Sequence, residues 1–320
     1  MKYFIGIDIG GMSIKCGLVN PSGRILKWDS IVTIPQQDYT LTVKDICDLI
    51  NKVVSDFGIT LDDVSAVGMG IPGTVDAKRG VITYCNNINF RNTPIVEEMK
   101  KHLSLPVFIG NDANLAALGE VKFGSAKGEA DVVFVTLGTG VGTGIIVDGK
   151  MIIGRNGAGA EGGHIVIKKG GLQCSCGQKG CWEAYASATA LQKMAAKELE
   201  KHPESLITGL AKKEGKVSGK AVFEAARMGD RLAKRLVKRY TENVSSGLVS
   251  LVNIFRPSCI IIGGGISNAG DGFFKPIQDY VSKNSYGRET CPRVEVRSAA
   301  LKNDAGILGG VALAMDSLGL

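Results

Sequence analysis

Four residues with metal-binding chemistry crowd into EGGHIVIKKGGLQCSCGQKGC, residues 161–181. They are His164, Cys174, Cys176 and Cys181, separated by nine, one and four residues. Three thiolates and one imidazole fill the tetrahedron that zinc prefers and leave no position for water, so such a site is structural rather than a Lewis-acid centre. Gly170, Gly171, Gly177 and Gly180 let so short a loop fold back on an ion. The competing reading is ordinary thiols or a disulfide; three Cys within eight positions beside a His favour the metal. Glu161 and Glu183 bracket the cluster. A carboxylate beside a zinc-fixed His can orient sugar hydroxyls, because both present acceptors in rigid geometry.

A second chemistry sits in the glycine turns. The apolar run YFIGIDI, carrying Asp8, is followed by Gly10 and Gly11, then Ser13 and Lys15. A glycine turn between two strands leaves backbone N–H groups able to face a phosphate. Asp8, at the strand end before it, is placed to hold Mg²⁺ directly or through water. The plan recurs at residues 132–149, VVFVTLGTGVGTGIIVDG: a shift of 128 puts Gly10 on Gly138 and Val19 on Val147. Such a repeat implies two related halves. Thr139 and Gly140 complete the second turn, and two turns of this kind could clamp a polyphosphate. A third glycine edge, Gly264–Gly265 after the run SCIII, could receive a base or ribose, or be only a tight turn.

Asp112 is the candidate general base. A hydroxyl attacking phosphorus must lose its proton, and a carboxylate at a strand end can accept it. Asp112 follows PVFIGN and precedes an Ala-rich helical pattern, so helix capping is the alternative role. Asn111 and Gly73 also fall at strand ends, where ligands of parallel α/β sheets gather.

The elements that position these residues alternate. Residues 41–58 are amphipathic, 64–73 read as a buried strand, 93–103 as a helix and 106–111 as a strand. This gives a parallel-type α/β sheet. Further on, 182–202 reads as one helix and 205–219 as a polar connector. Ser218 and Asp230 start two helices, and 304–318 reads as a small-residue helix. With 320 residues, the expectation is two domains. The net charge of +7 is dispersed apart from runs such as KRLVKRY, which argues against nucleic acid and suits an anionic substrate. No signal peptide or membrane span is expected, and the other five Cys read as buried free thiols of a reducing cytoplasm.

Taken together, these motifs resemble the ROK family of sugar kinases and repressors. DIGGMSIKCGLV resembles its first phosphate motif, with Ser13 where Thr or Asn is commoner, and TLGTGVGTGIIVDGKMIIGRNGAGAEGGH resembles its signature. The H-x9-C-x-C-x4-C pattern resembles its zinc module and IIIGGGIS its adenosine motif; GNDAN, AEGGH and CWEAYASATAL look most like the family's glucokinases. The resemblance implies a two-lobed actin/hexokinase-like, ribonuclease H-like α/β fold with a duplicated core and a zinc loop. The expected small lobe is 1–118 plus 302–320, and the large lobe 119–301. It implies ATP-dependent phosphorylation of glucose at the 6-hydroxyl in the cytoplasm, by a homodimer or homotetramer using Mg²⁺ and structural Zn²⁺. Asp112 would be the base; Gly73, Asn111, Glu161, His164 and Glu183 would hold the sugar. Gly10, Gly11, Ser13, Lys15, Gly138, Thr139 and Gly140 would cradle phosphates, Gly264 and Gly265 the nucleoside, and Asp8 the Mg²⁺. Repressors of the family carry an added N-terminal helix-turn-helix, for which a strand starting at residue 3 leaves no room. A kinase for N-acetylmannosamine, N-acetylglucosamine or fructose, and a sugar sensor without turnover, stay open at this level.

Overall fold

The computed structural model describes residues 2–85 and 88–320. In chain order its regular elements begin with the strands Tyr3–Ile9 (β1), Ser13–Val19 (β2) and Ile25–Val32 (β3), and the helix Tyr39–Phe57 (α1). Val64–Ile71 (β4), Thr74–Asp76 (β5), Val81–Tyr84 (β6), Arg91–Thr93 (β7), Ile95–Met99 (α2), Val107–Asn111 (β8) and Asp112–Phe123 (α3) follow. Then come Val132–Leu137 (β9), Val141–Val147 (β10), Lys150–Met151 (β11), Glu183–Ala186 (α4), Ala188–Leu199 (α5), Leu206–Glu214 (α6), Gly219–Arg227 (α7) and Arg231–Phe255 (α8). Cys259–Gly263 (β12), Asp271–Asn284 (α9), Glu295–Ser298 (β13) and Ala305–Ser317 (α10) complete the order.

The chain forms two compact units. The first is Met1–Ala130, Gly144–Ala160 and Ala300–Leu320; the second is Asp131–Thr143 and Glu161–Ala299. The expected lobe edge at residue 118 falls inside α3, which runs on to Phe123.

In the first unit the sheet order is β3-β2-β1-β4-β8. β1 and β2, and β2 and β3, pair antiparallel, whereas β4 is parallel to both β1 and β8. The order β11-β10-β9-β12-β13 repeats that plan, with β12 parallel to β9 and to β13. Division between the units falls within β10, after Thr143. A shift of 128 carries Ser13–Val19 onto Val141–Val147, so the glycine repeat is a repeat of topology. This is the duplicated ribonuclease H-like plan of the actin/hexokinase fold.

Strand alternation sorts the first unit's sheet into two faces. Ile5, Ile7 and Ile9 face Val43, Ile46, Ile50 and Val53 of α1 in one core. α1 is capped by Asp38, which accepts from the Thr40 N–H, and ends on the left-handed Gly58. On the opposite face α10 lies almost backbone to backbone with the sheet. A Cβ on Gly68 would come within 1.8 Å of the Gly310 carbonyl oxygen, and one on Gly6 within 2.1 Å of that of Ile307. Only glycine permits that approach.

The second unit packs α7, α8 and α9 through the rings of Phe223, Tyr240 and Phe273, 5.9–6.5 Å apart. Trp182, fully buried, fits a notch in α8 where a Cβ on Gly247 would lie 2.1 Å from its ring.

Four expectations change. Residues 182–202 are two helices, because Ser187 leaves helical geometry to cap α5 by accepting from the Ala190 N–H. The 205–219 connector contains α6, started by Ser205 and stopped by left-handed Gly215. Helix α2 is shorter than 93–103, since Arg91–Thr93 pairs as a strand with β6. Cys16, Cys47, Cys85 and Cys259 are buried thiols, but Cys291 is exposed. No helix among the described residues is long and apolar enough to cross a membrane.

Candidate metal centre and active-site residues

The second unit brings all four expected metal ligands together. One ligand atom from each of His164, Cys174, Cys176 and Cys181 lies within 4.8 Å of the others. Cys176 Sγ is 3.7 Å from Cys181 Sγ, and Cys174 Sγ is 3.7 Å from His164 Nδ1. Tetrahedral zinc with bonds of about 2.3 Å to sulfur and 2.0 Å to nitrogen separates neighbouring ligand atoms by about 3.5–3.8 Å. The set therefore fits zinc. Burial pushes the Cys174 thiol up and, with the neighbouring sulfurs, the Cys181 thiol up to about 12. The Gln178 backbone N–H lowers Cys176. Three thiolates so close need a cation to offset their charge, which a zinc ion would supply.

Backbone hydrogen bonds and glycines also shape the loop. The Cys174 N–H donates to Gln178 O at 2.9 Å, and the Gly177 N–H to Cys174 O at 3.1 Å. Gly177 and Gly180 are left-handed, at φ of 91° and 88°. Tyr185 props the loop from below, its hydroxyl accepting from the Leu172 N–H at 2.6 Å. Because Nδ1 of His164 faces Cys174, Nε2 lies on the opposite edge of the ring.

His164 ends a 3-10 turn, Gly162–His164, that begins next to exposed Glu161. That turn sits on the start of β10: the Gly162 N–H donates to Thr143 Oγ1 at 2.8 Å. Glu183, half-buried at the start of α4, reaches the same strand. Its Oε2 accepts from the Val141 N–H at 3.0 Å; its Oε1 accepts from Ser175 Oγ at 3.0 Å and from the Cys174 thiol at 3.5 Å.

Between β9 and β10 the turn Gly138–Thr139–Gly140 closes through the Gly138 N–H to Gly140 O at 3.0 Å. Gly264, left-handed at φ 85°, approaches the preceding residue, where a Cβ would meet Leu137 O at 2.4 Å. Gly265 has open space around its Cα. The second unit thus gathers His164, Glu183, the second glycine turn and Gly264.

The first unit gathers the other group. The Gly10 N–H donates to Ser13 O at 3.0 Å, and Thr33 Oγ1 donates to Gly10 O at 2.6 Å, leaving Gly11 exposed at the tip. Asp8 and Lys15 are cross-strand partners, with Lys15 Nζ 3.6 Å from Asp8 Oδ2. Burial pushes the Asp8 carboxyl up, against the pull of Lys15, so the group gains from a further cation. Gly306, in the first turn of α10, touches it: a Cβ there would lie 2.3 Å from Asp8 Cγ.

Asn111 and Asp112 stand at the β8–α3 junction as expected. Asn111 is the cap, its Oδ1 accepting from the Ala113 and Asn114 N–H groups. Its Nδ2 donates to Gly73 O at 3.0 Å, which ties Gly73, left-handed at φ 110°, to the same corner. Asp112 Oδ1 accepts from the Ala113 N–H at 2.9 Å. Asp112 is therefore the first helical residue rather than the cap.

Several positioning residues escaped the sequence reading: Ser175, Tyr185, Thr143, Gly306 and the buried Glu120. Their types are ordinary and, Ser175 apart, each has a partner far along the chain, so no local spacing marks them.

These two groups can be set beside known proteins. The chain is 37% identical over 311 residues to a glucokinase of Halalkalibacterium halodurans, covering 97% of this chain and 94% of that protein. It is 36% identical over 320 residues to a glucokinase of Thermotoga maritima, covering 98% of each. A crystal structure of a ROK family glucokinase from Streptomyces griseus in complex with glucose and AMPPNP superposes with a TM-score of 0.83 at 38% identity. It covers 98% of this chain and 99% of that one. The ROK family model matches residues 4–317. With its glycine turns, strand-end carboxylates and Cys/His cluster all inside that span, the chain belongs to the ROK family.

Proposed function

We propose that the protein transfers the γ-phosphoryl group of ATP to the 6-hydroxyl of glucose. Full-length likeness to glucokinases, one of them complexed with glucose and AMPPNP, supports the substrate pair. The observation that supports the catalytic assignment is at the β8–α3 corner: Asn111, not Asp112, is the helix cap, although Asp112 Oδ1 also accepts from the Ala113 N–H.

Asp112 takes the proton of the 6-hydroxyl as its oxygen attacks the γ-phosphorus. The bond from that phosphorus to the β–γ bridging oxygen breaks, and ADP leaves. Gly10, Gly11, Ser13, Lys15, Gly138, Thr139 and Gly140 bind phosphate oxygens. Gly264 and Gly265 edge the nucleoside. Glu161, Glu183 and the Nε2 edge of His164 hold sugar hydroxyls; Asn111 and Gly73 line the sugar. Asp8 would hold Mg²⁺, whose charge would offset that developing on the phosphates; one carboxylate together with phosphate oxygens is an ordinary Mg²⁺ donor set. His164, Cys174, Cys176 and Cys181 hold zinc in a structural role. The buried thiols of both units support a reducing, cytoplasmic setting, and a homodimer or homotetramer completes the reading.

Turnover by purified protein with ATP and Mg²⁺ over a hexose panel tests it. Glucose is expected to exceed 2-deoxyglucose and N-acetylated hexoses by more than about tenfold in kcat/KM. A site built to bond hydroxyls rejects analogues that leave its polar groups unpaired. Faster turnover of N-acetylmannosamine or fructose would replace the substrate and keep the kinase; no ADP release with any sugar would reduce the protein to a sensor.

A further inference from the structure

We infer that the zinc loop sets the geometry of the Gly138–Thr139–Gly140 turn, and that Glu183 is the positioning residue that couples them. The functional weight of this coupling rests on the reading of that turn as a nucleotide-phosphate turn.

Glu183 follows the zinc ligand Cys181 by two residues, and its two oxygens face opposite ways. Oε1 accepts from the Ser175 hydroxyl inside the loop; Oε2 accepts from the N–H of Val141, the residue after the turn. A charged acceptor strengthens this backbone bond relative to a neutral one. The carboxylate also walls the turn, since a Cβ on Gly140 would lie 2.3 Å from Oε2. Two further contacts hold the same few residues. The Ala188 N–H, five residues beyond Glu183, donates to Gly138 O at 2.9 Å. From the other side of the metal, the His164 turn grips the strand: Gly162 bonds Thr143, and a Cβ on Gly163 would meet Val141 O at 2.1 Å.

The turn and the start of β10 are thus held by two segments, one ending in His164 and one following Cys181. Zinc is the common anchor of those segments. With zinc bound they hold Gly138, Val141 and Thr143 as one rigid set; without it each moves on its own. Each carboxylate oxygen has two acceptor positions, so holding Val141 leaves Glu183 room for a sugar hydroxyl.

The test uses the zinc-loaded protein, with zinc content measured in every sample. Amide hydrogen exchange of residues 138–143 and AMPPNP affinity without sugar are compared for wild type, Glu183→Ala, Glu183→Gln and Ser175→Ala. Glu183→Ala is expected to keep one zinc per chain while exchange at 138–143 and the AMPPNP Kd each rise about tenfold, the loss of one charge-assisted hydrogen bond. Glu183→Gln retains an acceptor for Val141 and recovers most of both. Ser175→Ala, which alters only an exposed loop contact, moves exchange in the same direction by less. Chelating the zinc from wild type raises exchange at the same amides. Exchange changes confined to 164–181, in Glu183→Ala or in stripped wild type, would overturn the coupling. Failure of wild type to bind AMPPNP refutes the nucleotide reading instead, and the exchange measurements still decide the coupling.

Discussion

Glu120 accepts four hydrogen bonds in the first unit, and its removal has a calculable effect. It is a fully buried carboxylate near the end of α3. Oε2 accepts from the Ser125 N–H at 2.7 Å, the Ser125 hydroxyl at 2.8 Å and the Ala300 N–H at 3.2 Å; Oε1 accepts from the Leu301 N–H at 2.8 Å. Glu120→Ala removes the Glu120 acceptor from the Ser125, Ala300 and Leu301 N–H groups. A buried orphan donor costs about 1–3 kcal/mol, and Ser125, being only part-buried, recovers some of that from water. The expected net loss is about 3–5 kcal/mol, the range reserved for broken buried networks. Glu120→Gln keeps one oxygen but turns an amide N–H₂ toward a donor, for about 1–3 kcal/mol. Urea unfolding followed by far-UV circular dichroism reads both, as shifts in the midpoint of the first transition. Hydrogen exchange should localise the defect to the Ala300 and Leu301 amides. A Glu120→Ala protein within about 1 kcal/mol of wild type would refute the argument, because it would mean those donors find other partners at no cost.

Asp112→Asn is expected to lower kcat by about 10²–10⁴ with glucose binding retained, as calorimetry and steady-state kinetics would read; turnover within a few-fold of wild type makes Asp112 a positioning residue. Elemental analysis should find one zinc per chain, and chelation should disorder 164–181 and weaken glucose binding; a stripped protein with full affinity and stability removes the metal from the account. Asp230 gives a pH dependence. Burial alone would raise its carboxyl, but bonds from the Ala233 and Leu206 N–H groups and the Ser205 hydroxyl outweigh burial and hold it below its usual 3.8. Its stabilisation is therefore complete above that value and lost as pH falls through the lower, folded one. The stability gap between wild type and Asp230→Asn should be flat from neutral pH to about 5 and shrink below 4; a gap that widens on acidification contradicts the capping role.

Legibility in the sequence followed the range of the interactions. The zinc ligands were readable because their chemistry is rare and their spacing local. The duplicated core was readable because Gly10 and Gly138 carry the same backbone demand at one offset. Capping was less transparent: Asn111 and Asp112 are adjacent, both can cap, and only the backbone geometry assigns the role to Asn111. Helix α6 was hidden because its buried face is small, Ile207 and Ala211, and its N-terminus leans on Asp230, 24 residues away. Ser187 looked like an interior helix residue; its side chain instead satisfies the Ala190 N–H and breaks the helix. Glu120 reads as a surface acid on an Ala-rich helix, and nothing local announces partners at 300 and 301.

The bond from Ala300 to Glu120 spans 180 residues, and α10 packs on strands laid down before residue 112. During synthesis, at about 5–20 residues per second, Glu120 precedes its partners by roughly 10–35 s. For that interval the glycine face of β1 and β4 has no helix on it, and the Glu120 carboxylate lacks two of its donors. Every residue of the second unit, by contrast, precedes Ala300. The nascent chain therefore completes its second unit before its first, and the first unit closes only when α10 arrives.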